Sequence, residues 1–149
     1  MEIVHTDGKH PDFVALNIYL EEFFNELYPN RNPNNAQLNK LDTISDVFLL
    51  YDGSQPIGCA GFRKYSETSA EVKRVFVKKE YRGIKLSQRL MDCVENTAKE
   101  KGYQYLILET GEEMKAAMKL YTSRGYEIIP NYGAYKNSSK SICMSKNFN

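Results

Sequence analysis

The most informative segment of the chain is Glu71-Val-Lys-Arg-Val-Phe-Val-Lys-Lys-Glu-Tyr-Arg-Gly-Ile-Lys-Leu-Ser-Gln-Arg-Leu90. A hydrophobic strand leads into a short basic loop, and the loop leads directly into a helix. The start of a helix offers backbone N–H groups without internal partners and the positive end of the helix dipole, so it binds phosphate well. Consecutive loop amides add an anion-binding nest, and Gly83 permits the close backbone approach that such a loop needs.

Positive charge is concentrated in the same stretch. Residues 73–89 hold seven basic residues and one acidic residue, a net charge of +6. The whole chain of 149 residues has a formal net charge of +1, so the remainder carries −5. The near-neutral total argues against a dedicated nucleic-acid binder. Two other interpretations of the patch stay open: a nucleic-acid site confined to these residues, and a basic loop that is merely solvated.

The regions before this stretch predict one helix and three strands. Apolar residues recur at three- and four-residue steps from Pro11 to about Tyr28, which is typical of an amphipathic helix. A proline- and asparagine-rich loop follows at Tyr28–Asn35. Strands are predicted at 1–5, before this helix, and at 47–51, 56–63 and 70–77, the last three as an antiparallel meander.

The regions after it predict alternating helices and strands. A helix runs from just after Gly83 to about Gly102, and further elements are a strand at 105–108, a helix at 112–123 and strands at 126–129 and 142–145. Glu112 and Glu113 are expected in the first turn of the second of these helices, where they complement its dipole. The fold class is therefore α/β, a mixed sheet flanked by helices. The length suits a single domain over residues 1–149.

Composition excludes several classes of protein. Cys59, Cys93 and Cys143 are widely spaced, and His5 and His10 lie far from them, so neither a metal site nor a disulfide framework is supported. Free thiols favour a reducing, cytoplasmic setting. No stretch reaches the roughly 20 apolar residues of a membrane span, and the first residues lack a signal-peptide pattern. We therefore expect no metal and no membrane partner.

Two motifs resemble those of the GNAT superfamily of N-acetyltransferases. Tyr81-Arg-Gly-Ile-Lys-Leu-Ser87, between a strand and an amphipathic helix, resembles the acetyl-CoA loop of that family. Some forty residues later, Ala117-Met-Lys-Leu-Tyr-Thr-Ser-Arg-Gly-Tyr126 resembles its second signature, in which Leu-Tyr is followed by Gly and an aromatic residue. The order of elements is similar from about residue 1 to residue 146.

The resemblance implies a fold, a cofactor and its binding residues. The fold would be a mostly antiparallel sheet that splays at the cofactor strand. The cofactor would be acetyl-CoA, acting as co-substrate. Its pyrophosphate would lie on the backbone amides of Arg82, Gly83, Ile84, Lys85, Leu86 and Ser87, and its pantetheine arm would pair with the backbone of Val75, Phe76 and Val77.

The sequence departs from the family pattern at two positions. Lys85 stands where relatives usually have glycine, so its side chain either obstructs the approach of the cofactor or points outward and pairs with a phosphate. Met114 stands where relatives often have Asn or Gln, which would remove one polar contact to the cofactor.

The resemblance also implies two catalytic residues. Tyr121, the tyrosine of the Leu-Tyr motif, would donate a proton to the departing CoA thiolate; the alternative is a core aromatic residue. Glu71 would be the general base for the amine, and the alternative is a surface glutamate paired with a lysine. Glu109 is a second carboxylate candidate. Tyr132 and Tyr135 either line an acceptor pocket or belong to a surface hairpin.

The expected function is transfer of acetyl from acetyl-CoA to a primary amine by direct attack in a ternary complex. The acceptor would be a small molecule or a peptide, chosen by the helix at 11–28 and the loop after it. A homodimer is compatible with the resemblance. The alternative is a CoA-binding sensor module with weak or no catalysis, which Lys85 and Met114 motivate.

Overall fold

Residues 1–28, 40–83 and 85–149 are described by the computed structural model. The strands in these ranges are β1 (Glu2–Thr6), β2 (Asp46–Asp52), β3 (Gln55–Lys64), β4 (Ser69–Val77), β5 (Tyr105–Gly111), β6 (Glu127–Ile129) and β7 (Ser141–Asn147). The α-helices are α1 (Pro11–Leu27), α2 (Leu86–Glu100) and α3 (Lys115–Ser123). Most of the predicted loop at Tyr28–Asn35 lies outside the described residues.

The strands form one mixed sheet in the order β1-β2-β3-β4-β5-β7-β6. β4 and β5 are parallel, whereas β1 with β2, β2 with β3, β5 with β7 and β6 with β7 are antiparallel. The parallel pairing runs over three residue pairs, from Ser69 with Tyr105 to Glu71 with Ile107, and β4 then continues to Val77. The predicted fold class, a mixed sheet with helices, is confirmed.

Contacts divide the chain into two compact units. The first comprises Met1–Arg63 and Val72–Asn96, and the second comprises Lys64–Glu71 and Thr97–Asn149. β4 therefore contributes its first three residues to the second unit and its remaining residues to the first. The expectation of a single domain over the whole chain remains a prediction.

The first unit is built around the apolar face of α1. His10 caps this helix, because its Nδ1 accepts a hydrogen bond of 3.0 Å from the backbone N–H of Asp12, and Pro11 occupies the first helical position. Residues spaced three and four apart on one side of the helix pack against alternate residues of the strands. The resulting core contains Phe13, Leu16, Leu20, Leu41, Ile44, Val47, Leu49, Cys59 and Phe76.

The second unit corrects one predicted boundary. α3 begins at Lys115, not at Glu112, and no acidic residue lies in its first turn. The backbone N–H of Glu112 donates to the carbonyl of Lys140 at 2.9 Å, and that of Met114 donates to the carbonyl of Gly111 at 3.0 Å. These two bonds hold the chain in a turn, so Glu112 and Glu113 precede the helix.

Candidate active site

The end of β4 departs from regular strand geometry at Arg74. This residue has φ of 61°, in the left-handed region that L-residues rarely adopt. Its carbonyl accepts a hydrogen bond from the buried Cys59 thiol at 3.2 Å, and its guanidinium bonds to the Glu21 carboxylate at 2.7 Å. Arg74 thus breaks the regular alternation of β4 immediately before Val75–Val77, the segment implied to pair with pantetheine.

A short loop connects β4 to α2. It contains a single turn of 3-10 helix at Lys79–Tyr81, followed by a turn at Arg82 and Gly83. Gly83 has φ of +90°, and a Cβ added there would meet nothing within 4 Å, so glycine is required by the backbone conformation and not by lack of room. Ile84, one of the predicted cofactor-binding residues, lies outside the described residues.

Lys85 adopts a conformation suited to glycine. Its φ is 61°, and the side chain is exposed. The carbonyl of Lys85 accepts a hydrogen bond from the N–H of Arg89 at 3.4 Å, which begins the hydrogen-bonding pattern of α2. Leu86 and Ser87 therefore lie in the first turn of a helix of 15 residues, where backbone N–H groups point away from the helix.

The basic stretch is only partly available to a ligand. Arg74 is engaged with Glu21, and the buried Lys78 places its ammonium 4.2 Å from the centre of the Tyr19 ring. Arg82 donates from Nε to the carbonyl of Val77 at 2.9 Å, although much of the residue is exposed. The exposed basic residues around the loop are Lys79, Arg82, Lys85 and Arg89.

Glu71 forms the centre of a polar cluster in the second unit. Its exposed fraction is 2%, so it is not the surface glutamate of the alternative interpretation. The hydroxyl of Tyr132 donates to Glu71 Oε2 at 2.7 Å. Burial, together with the adjacent Glu71 carboxylate, raises the pKa of Tyr132 well above its usual range, so the phenol stays protonated and remains a donor.

Strand register places further polar residues on the face of the sheet that carries Glu71. Glu71 lies opposite Ile107, and Glu109 lies opposite Cys143. Because side chains alternate along a strand, Glu71, Glu109 and Cys143 share one face. The hydroxyl of Ser141 donates to Glu109 Oε2 at 2.7 Å. Both carboxylates predicted as candidates are thus bonded to hydroxyls from the same region, residues 131–141.

Asn131 holds this region together, a role that sequence analysis did not predict. Its side-chain Nδ2 lies 3.1 Å from each of three carbonyl oxygens, those of Tyr135, Ser138 and Ser141. The Tyr132 ring packs edge-on against Tyr65 and Tyr135, with ring centres 5.2 Å and 5.6 Å apart. The Asn-Tyr-Gly sequence suggests only a turn, because the carbonyls that Asn131 contacts lie up to ten residues away.

Tyr121 is a buried residue of α3. Its exposed fraction is 7%, and its ring packs edge-on against Tyr126 with centres 5.6 Å apart. Burial raises the pKa of Tyr121 well above its usual value, and the negative charge of Glu109 raises it further. The phenol of Tyr121 is therefore protonated throughout the physiological pH range.

Comparison with known proteins identifies the family. Residues 14–126 match the family model described as "Acetyltransferase (GNAT) family". This chain belongs to the GNAT acetyltransferase family. As a member it is an acyl-CoA-dependent N-acetyltransferase, and the resemblance of the two sequence motifs is confirmed.

Curated relatives of this GNAT acetyltransferase agree. It is 30% identical to an IAA acetyltransferase of Azospirillum brasilense over 129 residues, 85% of this chain and 84% of that protein. It is 38% identical over 77 residues to an N-acetyltransferase of Dictyostelium discoideum, a match covering 51% of this chain but only 35% of the relative.

Solved structures show the same fold. A proposed acyl-CoA N-acyltransferase from Klebsiella pneumoniae is similar with a TM-score of 0.82 and 26% identity, covering 98% of this chain and 96% of that one. A GNAT acetyltransferase from Elizabethkingia anophelis, solved with acetyl-CoA bound, has a TM-score of 0.72 and 18% identity, covering 98% and 97% of the two chains.

Two searches of the described residues bear on other kinds of site. Within the ranges 1–28, 40–83 and 85–149, no group of three or more His, Cys, Asp or Glu residues is arranged to hold a metal ion. Across those same ranges, each helix is too short or too polar to cross a membrane.

Proposed function

We propose that this GNAT acetyltransferase transfers the acetyl group of acetyl-CoA to a primary amine by direct attack in a ternary complex. The observation that carries the proposal is the segment from β4 to α2. A strand with an irregular residue at Arg74 leads into a loop with positive φ at Gly83 and Lys85, and the loop leads into the first turn of a long helix.

The cofactor would bind along this segment. The pyrophosphate would lie on the amides of residues 82–87, with the N-terminal end of α2 and the exposed basic side chains supplying positive potential. The pantetheine arm would pair with the backbone of Val75–Val77. Acetyl-CoA in the Elizabethkingia structure supports this choice of cofactor in a protein of the same fold. Strand amides would also stabilise the oxyanion that forms at the thioester carbonyl.

Glu71 would serve as the general base. An amine with a pKa near 10.4 is almost fully protonated at pH 7, and forming the neutral nucleophile costs roughly 4.6 kcal/mol. A carboxylate that accepts this proton, directly or through a water, lowers that cost at the moment of attack. The position of Glu71 supports this role, because its carboxylate is buried and it belongs to β4, four residues before the segment assigned to pantetheine.

Tyr121 would serve as the acid. When the tetrahedral intermediate collapses, the C–S bond breaks and CoA leaves as a thiolate. The hydroxyl of Tyr121, which burial keeps protonated, would donate to that sulfur. The ammonium loses two protons overall: Glu71 accepts the first and releases it to solvent, and the second, lost by the nitrogen after attack, replaces the proton that Tyr121 gives to the thiolate.

The test is an acetyl-transfer screen that follows the release of free CoA thiol. The acceptors are benzylamine, tyramine, spermidine, lysine and a short peptide with a free N-terminal alanine. With the best acceptor, Tyr121→Phe should lower kcat about 100-fold while the KM for acetyl-CoA changes less than threefold. Glu71→Gln should lower kcat by a similar factor. Unchanged turnover in either variant would remove that residue from the mechanism.

A second candidate function is a CoA-binding sensor with little catalysis. Lys85 favours it, because a lysine in a left-handed conformation stands where the family usually has glycine. Calorimetric binding of acetyl-CoA, with no CoA release in the presence of any of the five acceptors, would support the sensor and contradict the transferase.

A further inference from the structure

We infer that Tyr132 is a positioning residue that acts through Glu71, and that residues 131–141 form a brace whose purpose is to hold the two together. The inference rests on the proposed function, since it requires Glu71 to be the base. It assigns a role in catalysis to a residue that the two family motifs do not contain.

A short hydrogen bond joins Tyr132 to Glu71. The Tyr132 hydroxyl and Glu71 Oε2 are 2.7 Å apart, a short distance typical of a hydroxyl that donates to a carboxylate. A carboxylate has about four acceptor positions, and the bond from Tyr132 occupies one of them. This bond restricts the rotation of the carboxylate and thereby the direction in which its other lone pairs point.

Contacts from neighbouring residues hold Tyr132 in place. Its ring packs edge-on against Tyr65 and against Tyr135. The backbone on either side is tied down by Asn131, whose amide reaches the carbonyls of Tyr135, Ser138 and Ser141. Without such bonds, holding Tyr132 in one position would cost more conformational entropy, and its hydroxyl would orient Glu71 less effectively.

The other end of the brace, at Ser141, contacts a second carboxylate. Ser141 bonds to Glu109, which lies on the same face of the sheet as Glu71. The region from Asn131 to Ser141 therefore contacts both carboxylates through hydroxyl donors, Tyr132 at one end and Ser141 at the other. A surface hairpin, which was the alternative interpretation of this region, has no need for donors aimed at two acidic side chains.

The consequence is a specific expectation for kinetics. A base that is correctly oriented accelerates the chemical step and not the binding of either substrate. Tyr132→Phe removes only the hydroxyl and should lower kcat by at least about tenfold, the factor expected from one hydrogen bond to a charged group. The KM values for acetyl-CoA and for the amine should change less than twofold.

The decisive experiment is a double-mutant cycle on kcat, measured by CoA release with the amine that wild-type enzyme uses best among the five named above. The variants are Glu71→Gln, Tyr132→Phe and the double variant. If Tyr132 acts through Glu71, its substitution should change kcat less than twofold in the Glu71→Gln background. Tyr105→Phe, which removes a hydroxyl from the first residue of β5, is the matched control and should behave as wild type.

A second pair of variants keeps the test valid if Tyr132→Phe does not fold. Tyr132→Gln retains a side-chain hydrogen-bond donor. Met has nearly the same size and shape as Gln but no donor, so Tyr132→Met is the control for that variant. The inference predicts that the Gln variant has the higher kcat. Equal kcat in the Gln and Met variants would overturn it.

The remaining outcomes separate this inference from the proposed function. It is overturned alone if Glu71→Gln is inactive while Tyr132→Phe turns over as fast as wild type, or if Tyr132→Phe has the same effect in both backgrounds. A rise only in the KM of the amine also overturns it, because Tyr132 would then contact the acceptor. If Glu71→Gln is as active as wild type, or no amine is acetylated, the proposed function has failed and the inference falls with it.

Discussion

At the scale of single residues, the loop after β4 is defined by two backbone conformations. Gly83 and Lys85 both have positive φ, but only Gly83 is of the residue type that adopts it without strain. The strain at Lys85 costs roughly 1–2 kcal/mol, because the left-handed conformation brings Cβ close to the following carbonyl oxygen. The loop therefore keeps its conformation at the expense of stability.

Substituting Lys85 by glycine should stabilise the protein. The removal of the strain outweighs the greater freedom of glycine in the unfolded chain, and the expected gain in the free energy of unfolding is about 1 kcal/mol. For a chain of this length, that corresponds to a rise of about 2–4 °C in the midpoint of thermal unfolding, which differential scanning calorimetry measures.

Lys79→Gly is the matched control for this substitution. Lys79 lies six residues earlier, in the turn of 3-10 helix, and is not among the described residues with positive φ. The same chemical change should therefore lower the midpoint there. A Lys85→Gly variant destabilised as much as Lys79→Gly would show that the conformation of Lys85 carries no strain.

At the scale of elements, the first unit is held together where α1 meets β4. The ion pair between Arg74 and Glu21 joins the two, and its side chains are 10% and 13% exposed. Arg74 is also the residue whose left-handed conformation interrupts β4. This pair thus couples the helix to the irregular part of the strand that the proposed function assigns to pantetheine.

Glu21→Gln should destabilise the protein and loosen β4. Removing one member of a largely buried pair leaves the other charge poorly compensated, at a cost on the order of 2–3 kcal/mol. The control is Glu67→Gln, which breaks a pair with Lys64 whose side chains are 89% and 57% exposed and should have no measurable effect. Urea unfolding of both variants makes the comparison, and equal midpoints would contradict the argument.

Local pattern was sufficient to predict most elements but not where all of them begin. Apolar runs on either side of the turn at residues 52–55 located β2 and β3 to within one residue, because both strands are largely buried. The start of α3 was predicted three residues too early, since the carbonyl of Lys140 that captures the N–H of Glu112 belongs to a distant part of the chain. No periodicity within residues 105–123 contains that information.

In the candidate site, too, features set by neighbouring residues could be predicted, whereas features set by distant residues could not. The backbone of the loop between β4 and α2 could be predicted because its signals are local: a strand, a glycine and a helix start follow one another in the sequence. The bond between Tyr132 and Glu71 could not, because 61 residues separate the two and only the tertiary fold brings them together. The left-handed conformation of Arg74 was likewise unpredictable, since the sequence of β4 shows no glycine there.

At the scale of the whole molecule, the distribution of charge is more specific than the net charge. The +6 segment of the sequence is divided in the structure between residues that support the fold, such as Arg74 and Lys78, and residues exposed around one loop. A small cluster of exposed basic groups beside a helix start suits a compact polyphosphate better than an extended nucleic acid.

Stability should fall in alkaline solution through the buried thiol of Cys59. Burial raises the pKa of this thiol from 9.0 to about 12. The unfolded state releases the proton first, so the stabilising contribution is complete below pH 9 and is lost as the pH rises towards 12. In Cys59→Ala, the free energy of unfolding should therefore decrease less steeply over that range, although Tyr51, with a pKa raised to about 12, contributes in both proteins.

Urea unfolding at intervals between pH 8 and pH 12 measures this difference in slope. Cys93→Ala is the control, because that thiol is only partly buried and its removal should change the slope much less. Parallel curves for wild type and Cys59→Ala would show that the thiol is not held protonated by the fold.

The central claim is that acetyl passes from acetyl-CoA to an amine on this protein, and its most direct test is the stoichiometry of the products. Wild-type protein is incubated with acetyl-CoA and each of the five acceptors, and the acetylated amine and the free CoA thiol are both quantified. We expect equal amounts of the two for at least one acceptor, with the rate strongly reduced in Glu71→Gln and in Tyr121→Phe. Release of CoA without an acetylated amine, or binding of acetyl-CoA without release, would contradict it.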